Sequence, residues 1–164
     1  MGKITGSSNP DGRNKSPLLS EMFEDFARFV AKNYASARKI VEVGVGHRID
    51  VAIEVKSRLP NTEVVVTDKD ESWIRLHKTP RVKAVVDDID NPRLALYEGA
   101  ALVYSLQPPL ELVPSLVSLA GRVCADLLVV PVMDEQEAFH TGGWKKVTQL
   151  GRTLGWLLPH HHHG

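Results

Sequence analysis

Short apolar runs punctuate the chain at Lys39–Val43, Glu63–Asp68, Val82–Val86, Ala100–Leu106 and Asp126–Val132. Each is too short for a packed helix and rich in aliphatic residues, the pattern of strands buried on both faces of a parallel sheet. Between the runs the apolar spacing becomes helical. Leu18, Leu19, Met22, Phe23, Phe26, Phe29 and Val30 make one wide apolar face, opened by Ser16 as N-cap and Pro17 at the first helical position. Val51, Ala52, Val55 and Leu59 form the inner stripe of a second helix, Asp50 to Leu59, which Pro60-Asn61 ends. Further helical segments are expected from Ser72 to His77, from Asn91-Pro92 to Tyr97 and from Leu110 to Val123, with Pro114 tolerated in the first turn of the last. Met133–Glu137 then leaves the sheet as an acidic loop or short helix, with Asp134 and Glu135 near its crevice. Trp144–Gln149 and Thr153–Leu158 flank Leu150-Gly151-Arg152 and read as an antiparallel hairpin. Strand, helix, strand in sequence predicts right-handed βαβ units. The fold class expected is therefore α/β: a Rossmann-like, doubly wound, mostly parallel sheet of order about 3-2-1-4-5, with helices on both faces and a C-terminal hairpin.

The first run changes character at its end. Lys39-Ile40-Val41-Glu42-Val43 passes into Gly44-Val45-Gly46 and then into a helix start. Such a strand, glycine turn and helix lets a backbone approach a nucleotide closely. Gly44 suits the sharp turn, and Gly46 leaves no Cβ between the chain and a ligand. Glu42 is the unexpected residue, because a carboxylate in a buried strand is costly unless something pairs with it. At a strand end it can instead face a crevice and hold a polar or cationic group. Asp68 closes the second run 22 residues after Gly46. An acid there can accept from two vicinal ribose hydroxyls, or it can cap the following turn, Lys69-Asp70-Glu71. Trp73 either packs inward or edges an adenine pocket.

Bulk composition narrows the field. The chain has 164 residues, 43% hydrophobic and 24% charged, which suits one domain over residues 16–159. Residues 1–15 carry almost no large apolar side chain and read as a flexible leader. The His-rich residues 160–164 read as a tail outside the chemistry. Lysine plus arginine is 20 and aspartate plus glutamate is 20, so the net charge gives no indication of nucleic-acid binding. No run reaches the length of a membrane span and no signal-peptide core is present, so no membrane association is expected and a cytoplasmic location is. The lone cysteine, Cys124, excludes an intrachain disulfide, and its apolar surroundings predict a small buried side chain. His77, beside Lys78 and without ligand-spaced neighbours, reads as a surface histidine, and no metal site is expected.

Glu42-Val43-Gly44-Val45-Gly46 resembles the first motif of class I S-adenosylmethionine (SAM)-dependent methyltransferases, an acid followed by glycines at alternate positions, with Arg48 standing at the third glycine. From about Phe23 to Pro159 the chain also resembles a small archaeal family of uncharacterised Rossmann-type proteins, UPF0146. Four segments carry that resemblance: V-E-V-G-V-G-H-R, D-D-I-D-N-P, G-A-A-L-V-Y-S-L-Q-P-P and L-G-R-T-L. The methyltransferase resemblance implies SAM as cofactor, with Glu42 and the Gly44–Gly46 turn at the methionine end, Asp68 at the ribose and Asp88 at the adenine amino group. Asp87 is the alternate register, and helix capping by this acidic run is the other reading of it. Amino-methyltransferases carry an Asn or Asp, two prolines and an aromatic after the fourth strand. Here Gln107-Pro108-Pro109-Leu110 keeps the prolines, making Gln107 and Pro108 the catalytic candidates, or merely ends the strand. The methyl acceptor is unknown, and the short C-terminal unit leaves a homo-oligomer or a partner protein to complete the site. Two alternatives remain open. A dinucleotide (NAD) binder would want glycine where Ile49 stands, and a non-catalytic Rossmann scaffold would accommodate Arg48, Gln107 and Leu110 as they are.

Overall fold

The computed structural model describes residues 16–160, without the side chains of residues 16–20, Met133 and Asp134. The expected leader, the capping role of Ser16, the side chain of Asp134 and the last four residues of the tail therefore lie outside the described residues.

The chain runs α1 (Ser16–Asn33), β1 (Lys39–Val43), α2 (Asp50–Arg58), β2 (Glu63–Asp68), α3 (Glu71–Leu76), β3 (Lys83–Val86), β4 (Ala100–Leu106), α4 (Val113–Val123), β5 (Asp126–Val130), β6 (Lys145–Gln149) and β7 (Arg152–Leu158). Its seven strands form one sheet of order β3-β2-β1-β4-β5-β7-β6. The first five are parallel, and β7 runs antiparallel to both β5 and β6. The expected 3-2-1-4-5 order and the terminal hairpin are both present, with the hairpin turned so that its second strand joins the sheet.

Alternation along the strands explains the layering. Ile40, Val64, Val66, Leu102, Tyr104 and Leu128 face a core made with Phe23, Phe26, Val30, Val51, Val55 and Ile74 of the first three helices. Val41, Val43, Val65, Val103, Leu127 and Val129 point the other way, against Leu116, Leu119 and Ala120 of α4. Continuous aliphatic runs are thus required because both sheet faces are covered. At about 25 cal/mol per Å² of apolar area removed from water, burial on two faces is the main force holding the sheet. Among the described residues, no helix is long and apolar enough to cross a membrane.

Three local expectations are corrected. Cys124 is exposed, because it stands at the C-cap of α4 with φ of 62° and its side chain leaves the apolar layer. His77 is buried, its ring turned back under the glycine turn. The segments expected as helix before β4 and at Leu110 are single 3-10 turns, Leu94–Leu96 and Leu110–Leu112, the second leading into α4. Pro131 and Val132 lie beyond β5, and Met133–Phe139 is 3-10 helix.

Candidate functional site

The parallel strands bring the ends of β1, β2, β3 and β4 to one edge of the sheet, with β1 between β2 and β4. The glycine turn leaves β1 there. Gly44 and Gly46 have φ of 75° and 58°, the left-handed region where a side chain would cost strain. The N–H groups of Gly44 and Val45 both donate to the Thr67 carbonyl, at 2.9 and 3.1 Å, so the turn is pinned on β2. Gly46 N–H donates to Asp68 Oδ2 at 2.9 Å, and its carbonyl lies 2.6 Å from His77 Nε2. A carbonyl only accepts, so His77 donates from Nε2. Strand β2 and the end of α3 therefore clamp Gly46 from both sides. Gly44 is exposed and Gly46 half-exposed, leaving backbone open to solvent beside the half-exposed Asp68.

Asp68 caps the turn that follows it, one of the two roles expected of it. Besides holding Gly46, it accepts from Asp70 N–H through Oδ1 at 2.9 Å. Asp70 in turn caps α3 by accepting from Ser72 N–H at 2.9 Å. At the end of β3 the two neighbouring aspartates separate sharply. Asp87 is buried and accepts from Tyr97 O–H at 2.7 Å and from Arg93 N–H and Nε at 3.1 and 3.2 Å. Burial and that aspartate together push the Tyr97 phenol well above its ordinary range. Asp88 is exposed and spends Oδ1 on Asp90 N–H at 2.9 Å. Of the two, Asp88 is the one open to a ligand. Trp73 is half-buried, with its ring centroid 5.9 Å from that of His47 on the glycine turn.

Glu42 is only 1% exposed. It shares a sheet face with Ile40, beneath the first helical layer, and its Oε1 accepts from Tyr104 O–H at 2.8 Å. Tyr104 is its register partner on β4 and packs edge-on against Phe26 with centroids 5.1 Å apart. Burial raises the Glu42 carboxyl to about 8, outweighing the opposing Tyr104 hydrogen bond, while Asp50 raises it slightly further. Near neutrality this acid is protonated, and the charge that the sequence made so costly is avoided. Arg48, at the third glycine position, is committed elsewhere. It pairs with Asp50 at 3.1 Å and lies over the Phe23 ring, 4.7 Å from its centroid.

On the other side of β1, Ser105 Oγ donates to the Val43 carbonyl at 2.8 Å and sits opposite Gly44. Gln107 follows with φ of 53°, its N–H donating to the Val130 carbonyl at 2.6 Å. Such a conformation in a residue with a side chain stores on the order of 1 kcal/mol. Gln107 is exposed and Pro108 buried. Gln107 opens onto a cavity of about 460 Å³ between the start of α1, the end of β5 and strand β7. Among the described residues, no group of three or more His, Cys, Asp or Glu could hold a metal ion.

Motif reading missed Tyr104, His77 and the β7 wall of the cavity. Tyr104 is separated from Glu42 by 62 residues and His77 from Gly46 by 31, so only the strand register and the return of α3 bring them together. The buried acid in β1 was the one signal that a donor had to exist.

The sheet and its strand-end crevice define a methyltransferase-like Rossmann fold. Similar solved structures share it: a predicted O-methyltransferase of Agrobacterium tumefaciens (TM-score 0.59, 16% identity, 82% of this chain and 77% of that one), human N-acetylserotonin methyltransferase in complex with SAM (0.52, 17%, 69% and 35%), and the plantazolicin methyltransferase BpumL in complex with SAH (0.50, 18%, 80% and 58%). The model of the "Uncharacterised protein family (UPF0146)" matches residues 23–153, and the chain belongs to that family. Its relatives include UPF0146 proteins of Pyrococcus horikoshii (35% identity, covering 72% of this chain and 85% of the relative) and Methanothermobacter thermautotrophicus (32%, 80% and 91%).

Proposed function

We propose that this chain is a SAM-binding Rossmann-fold protein and that its reaction is methyl transfer to an acceptor. One observation carries the reading: the Gly44–Gly46 turn, clamped but solvent-open, lies against Asp68 on β2. The donor set fits the cofactor. Open glycine backbone admits the methionine portion, Asp68 keeps lone pairs for ribose hydroxyls beyond its two backbone partners, and Asp88 has a second oxygen for an adenine amino group. The chemistry such a cofactor would bring is a methyl group on a sulfonium. The protein's part is to orient it, so the absence of a general base among the assigned residues is no obstacle. Glu42, enclosed in β1 and paired with Tyr104, is given no ligand contact in this reading.

Calorimetric titration with SAM, S-adenosylhomocysteine (SAH) and NAD is the test. The expected result is micromolar binding of SAM and SAH without NAD, abolished in Asp68→Ala with the far-UV circular dichroism retained. Binding of NAD alone, or unchanged SAH binding by that variant, would overturn the assignment. A non-catalytic scaffold is the second reading. It is favoured by Glu42 itself, since the motif's acid is sealed off from the crevice. Absence of binding to all three ligands would select it.

A further inference from the structure

The cavity of about 460 Å³ lies across β1 from Asp68 and Asp88, at the β4–β5–β7 side of the sheet. Its size is within the roughly 300–1,000 Å³ of small-molecule sites. It adjoins the glycine turn through two of its own walls. Phe23 carries the Arg48 guanidinium, and Gln107 follows two residues after Ser105, which donates to the carbonyl of Val43 just before the turn. Val130, Pro131 and Leu154 make the cavity apolar, and among the described residues no aspartate or glutamate lines it.

Its polar groups are biased toward donors. Arg152 lines it, but that charge is met by Asp25 at 2.7 Å and Glu21 at 3.4 Å. Lys146 is different. Its ammonium sits 5.6 Å from the centroid of the Trp156 ring, and no carboxylate of the described residues pairs with it. Gln136 is oriented by chemistry: Trp156 Nε1–H only donates, at 2.7 Å to Gln136 Oε1, which leaves the amide nitrogen as the donor of this lining residue. A cation with no carboxylate partner among the described residues, and an amide whose oxygen is already taken, beside apolar walls favour one kind of occupant.

We propose that this cavity is a second ligand site, taking a small, largely apolar molecule that carries a single anionic group, with the anion at Lys146. That it seats the methyl acceptor rests on the SAM reading above; the site and its ligand class do not.

The experiment titrates the full chain calorimetrically with 2-naphthoate, its neutral isostere 2-naphthamide and the cation 2-naphthylmethylammonium. The indole N–H resonance of Trp156 is followed by NMR in parallel. The expected result is naphthoate binding about tenfold tighter than the amide, the scale separating a charge-assisted from a neutral hydrogen bond. The ammonium should not bind, and the Trp156 resonance should shift. Lys146→Gln, at an exposed position, should fold normally and bring naphthoate down to the affinity of the amide. Equal binding of amide and carboxylate, an unchanged preference in Lys146→Gln, or no binding at millimolar concentration would overturn the proposal. Naphthoate binding by a protein that does not take up SAH would support the site while overturning the cofactor reading. SAH binding without naphthoate binding would do the reverse.

Discussion

Glu42 shows how one residue carries both a cost and its solution. The unfolded carboxyl titrates near its ordinary 4.5 and the folded one near 8. Between those values the folded chain holds a proton that the unfolded chain has released. Glu42 therefore contributes stability that is complete below the lower value and is lost as pH rises toward the upper one, at up to about 1.4 kcal/mol per pH unit. Glu42→Gln keeps an acceptor for Tyr104 without the titration. Urea denaturation from pH 5 to 8 should show wild type falling relative to the variant, and parallel curves would refute the assignment. His77 acts at the same scale. Removing its donor in His77→Ala should cost about 1–3 kcal/mol by leaving the Gly46 carbonyl without it, while His77→Gln, which can still donate, should recover part of that loss. Chemical denaturation of the pair measures this, and equal losses would mean that ring packing alone matters.

At the scale of elements, the C-terminal hairpin decides more than its length suggests. Strand β7 enters the sheet between β5 and β6, with Val129 opposite Trp156. It crosses so close that a Cβ on Gly155 would stand 2.9 Å from the Val129 carbonyl oxygen and 3.2 Å from Val130 Cγ2. A backbone oxygen cannot rotate away. Gly155→Ala is therefore expected to lose about 1–3 kcal/mol, as overpacked positions do, measured as a lowered urea midpoint. Unchanged stability would mean that β7 pairs less tightly with β5. The same strand ties α1 to the sheet through Arg152 and the buried Asp25. It also forms the wall of the cavity, so its placement joins stability to the second ligand site.

For the whole molecule, the two apolar layers share one sheet, and β1, β2, β4 and β5 contribute to both. Neither layer can open without exposing the other side of the same strands. Thermal or urea unfolding followed by far-UV circular dichroism and by tryptophan fluorescence should give coincident transitions. Separated midpoints would show that the hairpin or a helical layer melts alone.

The sequence by itself determined the strands, the βαβ succession, their order and the glycine turn. These are local: aliphatic runs, helical spacing and Gly44 and Gly46 express themselves within a few residues, and parallel connection rules do the rest. It also marked Glu42 as a problem requiring a partner. Tertiary structure alone decided who solves it. Tyr104 meets Glu42 through strand register, His77 reaches Gly46 because α3 folds back, and Asp87 is buried where its neighbour Asp88 stays open. Cys124 escapes the layer because a single left-handed cap redirects it. The cavity, assembled from α1, Gln107 just after β4, β5, β6, β7 and the 3-10 segment, has no sequence signature, since α1, Gln107 and the C-terminal strands are far apart along the chain and meet only when the sheet forms.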